Sequence, residues 1–136
     1  MNSIEFRREL HRHPELSFEE YRTQRFILDA LRAEGIECRE IATTGVLAKI
    51  EGERGNLRRC VVLRADIDAL PIEEQNEVEF RSENQGVMHA CGHDMHAAVL
   101  FGVLQEFARN RNFEGTLFAI FQPGEELNPG GAIKVL

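Results

Sequence analysis

Cysteine is scarce in this 136-residue chain, and the three present, Cys38, Cys60 and Cys91, are odd in number and widely spaced. That argues against a disulfide framework and fits reduced thiols in a cytoplasmic protein. The N-terminus, MNSIEFRREL, lacks the apolar stretch of a secretory signal. No apolar run approaches membrane-spanning length, so a soluble protein without a membrane partner is expected. Positive charge is short as well. Sixteen basic side chains stand against 23 acidic ones, the formal charge is −7, and no basic stripe appears, which argues against nucleic acid as a partner. There is no internal repeat and no low-complexity stretch. What is left is one domain's worth of chain with 43% hydrophobic residues, long enough to bury roughly two thirds of its unfolded surface.

The pattern along the chain alternates helices with strands. Residues Ser3 to His13 read as a helix closed by Pro14. Ser17 and Glu20 have the spacing of a capping box ahead of a second helix carrying Tyr21, Ile27, Leu28 and Leu31, with Gly35 where a left-handed cap belongs. Val46 to Ile50 alternates like a half-buried strand, and the continuous run Cys60 to Leu63 reads as a central strand covered on both faces. A helix follows with Ala97, Leu100, Phe101, Leu104 and Ala108 at core spacing, then a strand over Thr116 to Phe121 that ends at Gln122, Pro123 and Gly124. Such alternation predicts an α/β layered fold with a parallel or mixed sheet. The chain stops inside a glycine-led helical segment, GGAIKVL, and a fragment of a longer protein is expected.

The densest chemistry lies in MHACGHDMH, Met88 to His96, directly before the long apolar helix. Cys91 and His93 flank Gly92, which lets the backbone turn sharply enough for thiolate and imidazole to reach one ion. A lone cysteine is usually a small hydrophobe and a lone histidine a satisfied core residue, but the two together are a preferred donor pair for a transition metal. His89 and His93 stand at helical i, i+4 spacing, yet Gly92 argues against a continuous helix through them. His96, one turn on, reads equally as a ligand, a substrate contact or a polar residue at a helix start.

Two acidic clusters follow strands. Asp66 and Asp68, in RADIDALPIEE, sit after the first apolar strand, where a carboxylate either binds metal, orients a metal ligand or simply stabilises a turn. Glu125 and Glu126 are adjacent after the QPG turn and, pointing in different directions, suit a division between metal ligand and proton acceptor. The bland alternative is a solvated surface pair. Ligands in open α/β sheets bind beyond the carboxyl ends of strands, so convergence of the three clusters is expected.

Taken together, LHRHPELSFEE (Leu10 to Glu20), RADIDALPIEE, MHACGHDMHAAVLFG (Met88 to Gly102) and FQPGEE (Phe121 to Glu126) resemble, in order and spacing, the motifs of the metal-dependent aminoacylase and carboxypeptidase superfamily. The nearest branch holds the N-acyl-amino-acid amidohydrolases, hippurate hydrolase and auxin-conjugate hydrolases. The resemblance implies a three-layer αβα catalytic domain of metallo-exopeptidase type, here cut short on its C-terminal side. It implies that residues 1–136 are the N-terminal part of that domain, without the inserted dimerisation domain, and that the full-length protein is a homo-oligomer. It also implies Cys91, His93 and Glu126 as metal ligands, Glu125 as general base and Asp68 as an active-site aspartate, with two further histidine ligands beyond Leu136. His11 and His13 read as structural.

The expected function is metal-dependent hydrolysis of the amide bond of a small N-acyl amino acid. Two divalent ions are expected per full-length site, Mn²⁺ or Zn²⁺, with Co²⁺ and Ni²⁺ also compatible with mixed S, N and O donors. A dipeptidase or aminopeptidase on the same scaffold is the alternative, and an inactive metal-binding fragment is the expectation for the isolated chain. The H-x-E and P-C-x-x-C signatures of a zinc nucleoside deaminase are missing.

Overall fold

Asn2 starts the first helix through a capping box. Its side chain accepts from the Ile4 and Glu5 N–H groups, while the Glu5 carboxylate accepts from Asn2 N–H. The computed structural model describes residues 1–56 and 58–135. In it α1 (Ser3–Arg12) ends just ahead of Pro14, as the sequence predicts. α2 (Tyr21–Ala33) buries Ile27, Leu28 and Leu31, and Gly35 follows it at φ 70°. The capping box expected from Ser17 and Glu20 does not form. Glu20 occupies the N-cap position without a side-chain bond to the helix, because both side chains turn inward to other partners.

Among the described residues four strands make one mixed sheet: β1 (Glu37–Ile41), β2 (Gly45–Glu51), β3 (Cys60–Asp66) and β4 (Thr116–Gln122), in spatial order β1-β2-β4-β3. β1 pairs antiparallel with β2 and β2 antiparallel with β4, whereas β3 pairs parallel with β4. β1 has no counterpart in the sequence reading, since ECREI shows no apolar alternation. α3 (His93–Arg109) links β3 to β4, and a short α4 (Ala132–Val135) follows. Among the described residues no helix is long and apolar enough to cross a membrane.

The core lies between the helices and one face of the sheet. Val46, Ala48 and Ile50 of β2 and Leu117, Ala119 and Phe121 of β4 point into it. There they meet Phe6 of α1, whose ring stacks on Phe101 of α3 at 4.3 Å and lies 5.0 Å from Phe26 of α2. Burying each such side chain contributes roughly 1.5–3 kcal/mol. Two of the three expected layers are thus in place among the described residues, while the opposite sheet face carries half-buried Leu47, Phe118 and Ile120. The expectation that Cys60 to Leu63 is covered on both faces is corrected. β3 is an edge of the described sheet, and Val61 and Val62 are 55% and 53% exposed.

Candidate metal centre

Parallel pairing sets Asp66 at the end of β3 beside Gln122 at the end of β4, so two strand ends open on the same edge and α3 begins there. Gly92 adopts φ 82° immediately before α3, a conformation an L side chain rarely takes. The sharp turn expected between Cys91 and His93 is therefore present, and it drives His93 inward to 2% exposure while Cys91 stays at the surface.

His93 Nδ1 lies 2.9 Å from the Asp68 carbonyl and 3.0 Å from Asp68 Oδ1. Both partners are acceptors, so Nδ1 carries the proton and Nε2 presents its lone pair. Asp68 is itself buried, and its Oδ2 accepts from Ser17 Oγ at 2.7 Å and from the Glu126 N–H at 2.9 Å. Burial works to raise the Asp68 pKa, but the bonds from His93, Glu126 and Ser17 outweigh it and hold the carboxyl down at about 2. Burial likewise works to lower His93, and the Asp68 carboxylate reverses it, leaving the imidazole raised.

The open side of His93 faces the acidic pair. Nε2 is 3.8 Å from Glu125 Oε2 and 3.8 Å from Glu126 Oε1. The two carboxylates thus approach one nitrogen rather than diverging. They differ in setting: the Glu125 side chain is 41% exposed and that of Glu126 24%, with Oε1 buried and without a hydrogen-bond partner among the described residues.

Cys91, His93 and Glu126 each offer a ligand atom within 4.8 Å of the others. An orphaned buried carboxylate oxygen beside a thiol and an imidazole lone pair is a donor set that fits a divalent transition metal. The Cys91 thiol is pushed up by its hydrogen bond to Glu126, by burial and by the charges of Glu125 and Asp66, so the group that needs a cation to ionise stands where one would bind. Asp66, His93 and His96 form a second such group. It shares His93, whose single open nitrogen serves one ion. His96 is 52% exposed, with Nδ1 3.9 Å from Asp66 Oδ2. Cys91, His93, Asp68, Glu125 and Glu126, all singled out from the sequence, thus come together, and Ser17 and Glu20 are the neighbours that the reading as a helix cap concealed.

Residues 62–136 match the model of peptidase family M20/M25/M40. The chain belongs to that family. An N-acyl-L-amino acid amidohydrolase of Geobacillus stearothermophilus is 47% identical over 135 residues, covering 98% of this chain and 36% of the relative. An N-acetyldiaminopimelate deacetylase of Priestia megaterium is also 47% identical, over 98% of this chain and 35% of the relative. The YXEP protein of Bacillus subtilis, described as a dinuclear metal-binding peptidase of the M20 family, superposes with a TM-score of 0.92 at 45% identity, over 98% of this chain and 37% of that one. The chain spans about a third of the length of the relatives it matches. Its mixed α/β fold is that of the M20 catalytic domain.

Proposed function

We propose that this chain supplies metal-binding and proton-transfer groups to a hydrolase that cleaves the amide bond of N-acyl amino acids. The observation that carries the reading is the pairing of an open His93 Nε2 with an unpartnered, buried Glu126 Oε1 beside the Cys91 thiol. The amidohydrolase of Geobacillus stearothermophilus and the deacetylase of Priestia megaterium support the substrate class. Cys91, His93 and Glu126 would hold the ion. A divalent ion there, Mn²⁺ or Zn²⁺ with Co²⁺ and Ni²⁺ also suited to the donors, would supply polarisation of the scissile carbonyl and a lowered pKa for water.

Glu125, the more exposed carboxylate, takes a proton from the attacking water and delivers it to the leaving amine, a role worth typically about 10²- to 10⁴-fold. Asp68 does not meet substrate in this scheme. It fixes the ring and tautomer of His93 and, through the Glu126 N–H, the acidic turn. Three donors fill three of the four positions usual for zinc, so a second ion of the kind named for the Bacillus subtilis protein needs donors besides these. That protein's description as a peptidase favours a dipeptidase or aminopeptidase as the second reading.

Elemental analysis after dialysis, combined with assays on N-acetyl amino acids and on free dipeptides, tests both. In the full-length protein Glu125→Gln is expected to keep metal and lose turnover, whereas Glu126→Gln and Cys91→Ser lose metal. Unchanged metal content in both ligand variants would sink the metal assignment, and cleavage of dipeptides in preference to acyl amino acids would favour the second reading.

A further inference from the structure

The segment between α1 and α2, residues 15–20, touches both halves of the candidate centre although none of its side chains is a donor there. The backbone of Glu15 and Leu16 is stitched to the loop carrying Asp68: Leu16 bridges Ala69, and the Ala69 N–H donates to the Glu15 carbonyl at 2.8 Å. Ser17 then donates to Asp68 Oδ2, the carboxylate that also holds His93 and the Glu126 N–H. Phe18 sits at φ 64°, and its ring fills the space a Cβ on Gly124 would need, with ring atoms 2.4–2.7 Å from that position. Finally Glu20, 0% exposed, accepts from the Gly124 N–H at 2.8 Å and from the Thr44 hydroxyl.

A fully buried carboxylate is costly to keep even when it accepts from an amide and a hydroxyl, and an apolar side chain of similar size would fill the same volume. What an apolar side chain would not do is hold Gly124, the residue directly before Glu125. The turn 124–126 therefore hangs between two carboxylates, Glu20 at its entry and Asp68 at Glu126, and both belong to or are held by the 15–20 strap. We infer that Ser17 and Glu20 are positioning residues that set the placement of the Glu125–Glu126 turn relative to His93. The consequence for metal affinity rests on the function proposed above, while the restraint on the turn does not.

Two measurements on the whole chain separate these. Hydrogen–deuterium exchange read on peptides covering 122–128 reports the turn without any metal. Cobalt titration, followed by the thiolate-to-metal absorption of Cys91, reports the donors. Glu20→Leu is expected to speed exchange in the 122–128 peptides but not in those of α2, and to weaken cobalt binding by about ten- to a hundredfold. Glu20→Gln should restore both, because its amide oxygen still accepts from Gly124 and its NH₂ donates to Thr44. Ser17→Ala, at a half-buried position that tolerates a smaller side chain, should loosen the same peptides less. Unchanged 122–128 exchange in Ser17→Ala and in folded Glu20→Leu overturns the inference, as does a Glu20→Gln chain as loose as Glu20→Leu. Should Glu20→Leu not fold, Ser17→Ala and Glu20→Gln decide alone. A wild-type chain that takes up no cobalt sinks the metal reading instead, and the exchange result still decides the strap.

Discussion

Two buried imidazoles in this chain sit among carboxylates and differ in one nitrogen. His11, on α1, has both nitrogens engaged: Nδ1 is 2.8 Å from Asp94 Oδ2 and Nε2 is 3.0 Å from Glu74 Oε1. Arg7 adds a bond to the same Asp94 oxygen at 2.9 Å, and the Ser82 N–H and Asn76 amide reach the Glu74 carboxylate. His93, at the start of α3, is hydrogen-bonded to a carboxylate through Nδ1 only, the carboxylates near Nε2 standing off at 3.8 Å. A histidine tied at both ends is a cross-link between α1, α3 and the loop that carries Glu74, whereas one tied at a single end is an aimed lone pair. The inventory of partners, not burial, separates the two, since both rings are almost completely buried. His89 makes the third case, buried with neither nitrogen partnered among the described residues.

The contrast breaks most visibly at His11. His11→Ala leaves Asp94 and Glu74 buried without the ring between them, and losing one member of such a network costs about 3–5 kcal/mol. Urea denaturation should show that loss, and cobalt bound by the folded fraction should keep its thiolate absorption. A stability change below about 1 kcal/mol would mean that His11 is not a cross-link.

His89 sharpens the comparison through pH. Burial is the largest influence on it and lowers its pKa to about 4, while in the unfolded chain it titrates near 6.5. Between those values the unfolded state binds the extra proton, so stability is full above about pH 6.5 and falls as pH drops toward 4, by at most about 3 kcal/mol. His11 has the opposite sign. Its pKa is raised, chiefly by the hydrogen bond to Asp94 with burial opposing, so its contribution is complete below pH 6.5 and is lost as pH rises through its folded value. Denaturation between pH 4 and 7 in wild type and His89→Asn tests this, and an acid loss equal in both assigns it elsewhere.

His93→Ala reverses the His11 result. It removes a donor and should weaken metal binding by roughly a hundredfold, about 2.7 kcal/mol, with a smaller loss of stability than His11→Ala. Isothermal titration with Zn²⁺ and urea melts of both variants make the test. If His11→Ala loses the metal and His93→Ala loses the fold, the roles are exchanged.

Much of this was legible in the residues, and what was not has a common cause. Cys91-Gly92-His93 announced itself because the donors and the glycine that turns them are contiguous. The strands leading to Asp68 and Glu125–Glu126 were visible as apolar runs, since parallel neighbours buried on at least one face need them. β1 was invisible because an edge strand with little burial needs no apolar alternation. The run Cys60 to Leu63 suggested a covered strand, and apolar composition alone does not say which neighbours supply the cover. Ser17 and Glu20 misled for a different reason. S-x-x-E before a helix reads the same whether the side chains face the helix N–H groups or a partner 51 or 104 residues away, as Ser17 and Glu20 do with Asp68 and Gly124. Long-range hydrogen bonds leave no periodic trace, and for that reason the double engagement of His11 was also out of reach.

The finest distinction between the two regions lies in how each responds to protons when metal is offered. His11 has no lone pair to give, so its titration leaves metal affinity unchanged. At the candidate centre Cys91 must lose its proton to bind, and its pKa is held above the ordinary thiol value, first by the hydrogen bond to Glu126, then by burial and by the neighbouring carboxylates. Raising pH lowers the work of deprotonation, so affinity should increase by about tenfold per pH unit below the thiol's own pKa. The measurement belongs above the range in which His93 titrates, so that one proton is released rather than two. Competition titrations with a chelator of known pH dependence, on wild type and Cys91→Ser, read the slope directly. Serine does not ionise in this range, so the variant should bind more weakly and with a flat profile. A wild type that is equally flat would show that the thiolate is not a ligand, and Cys91 would leave the site.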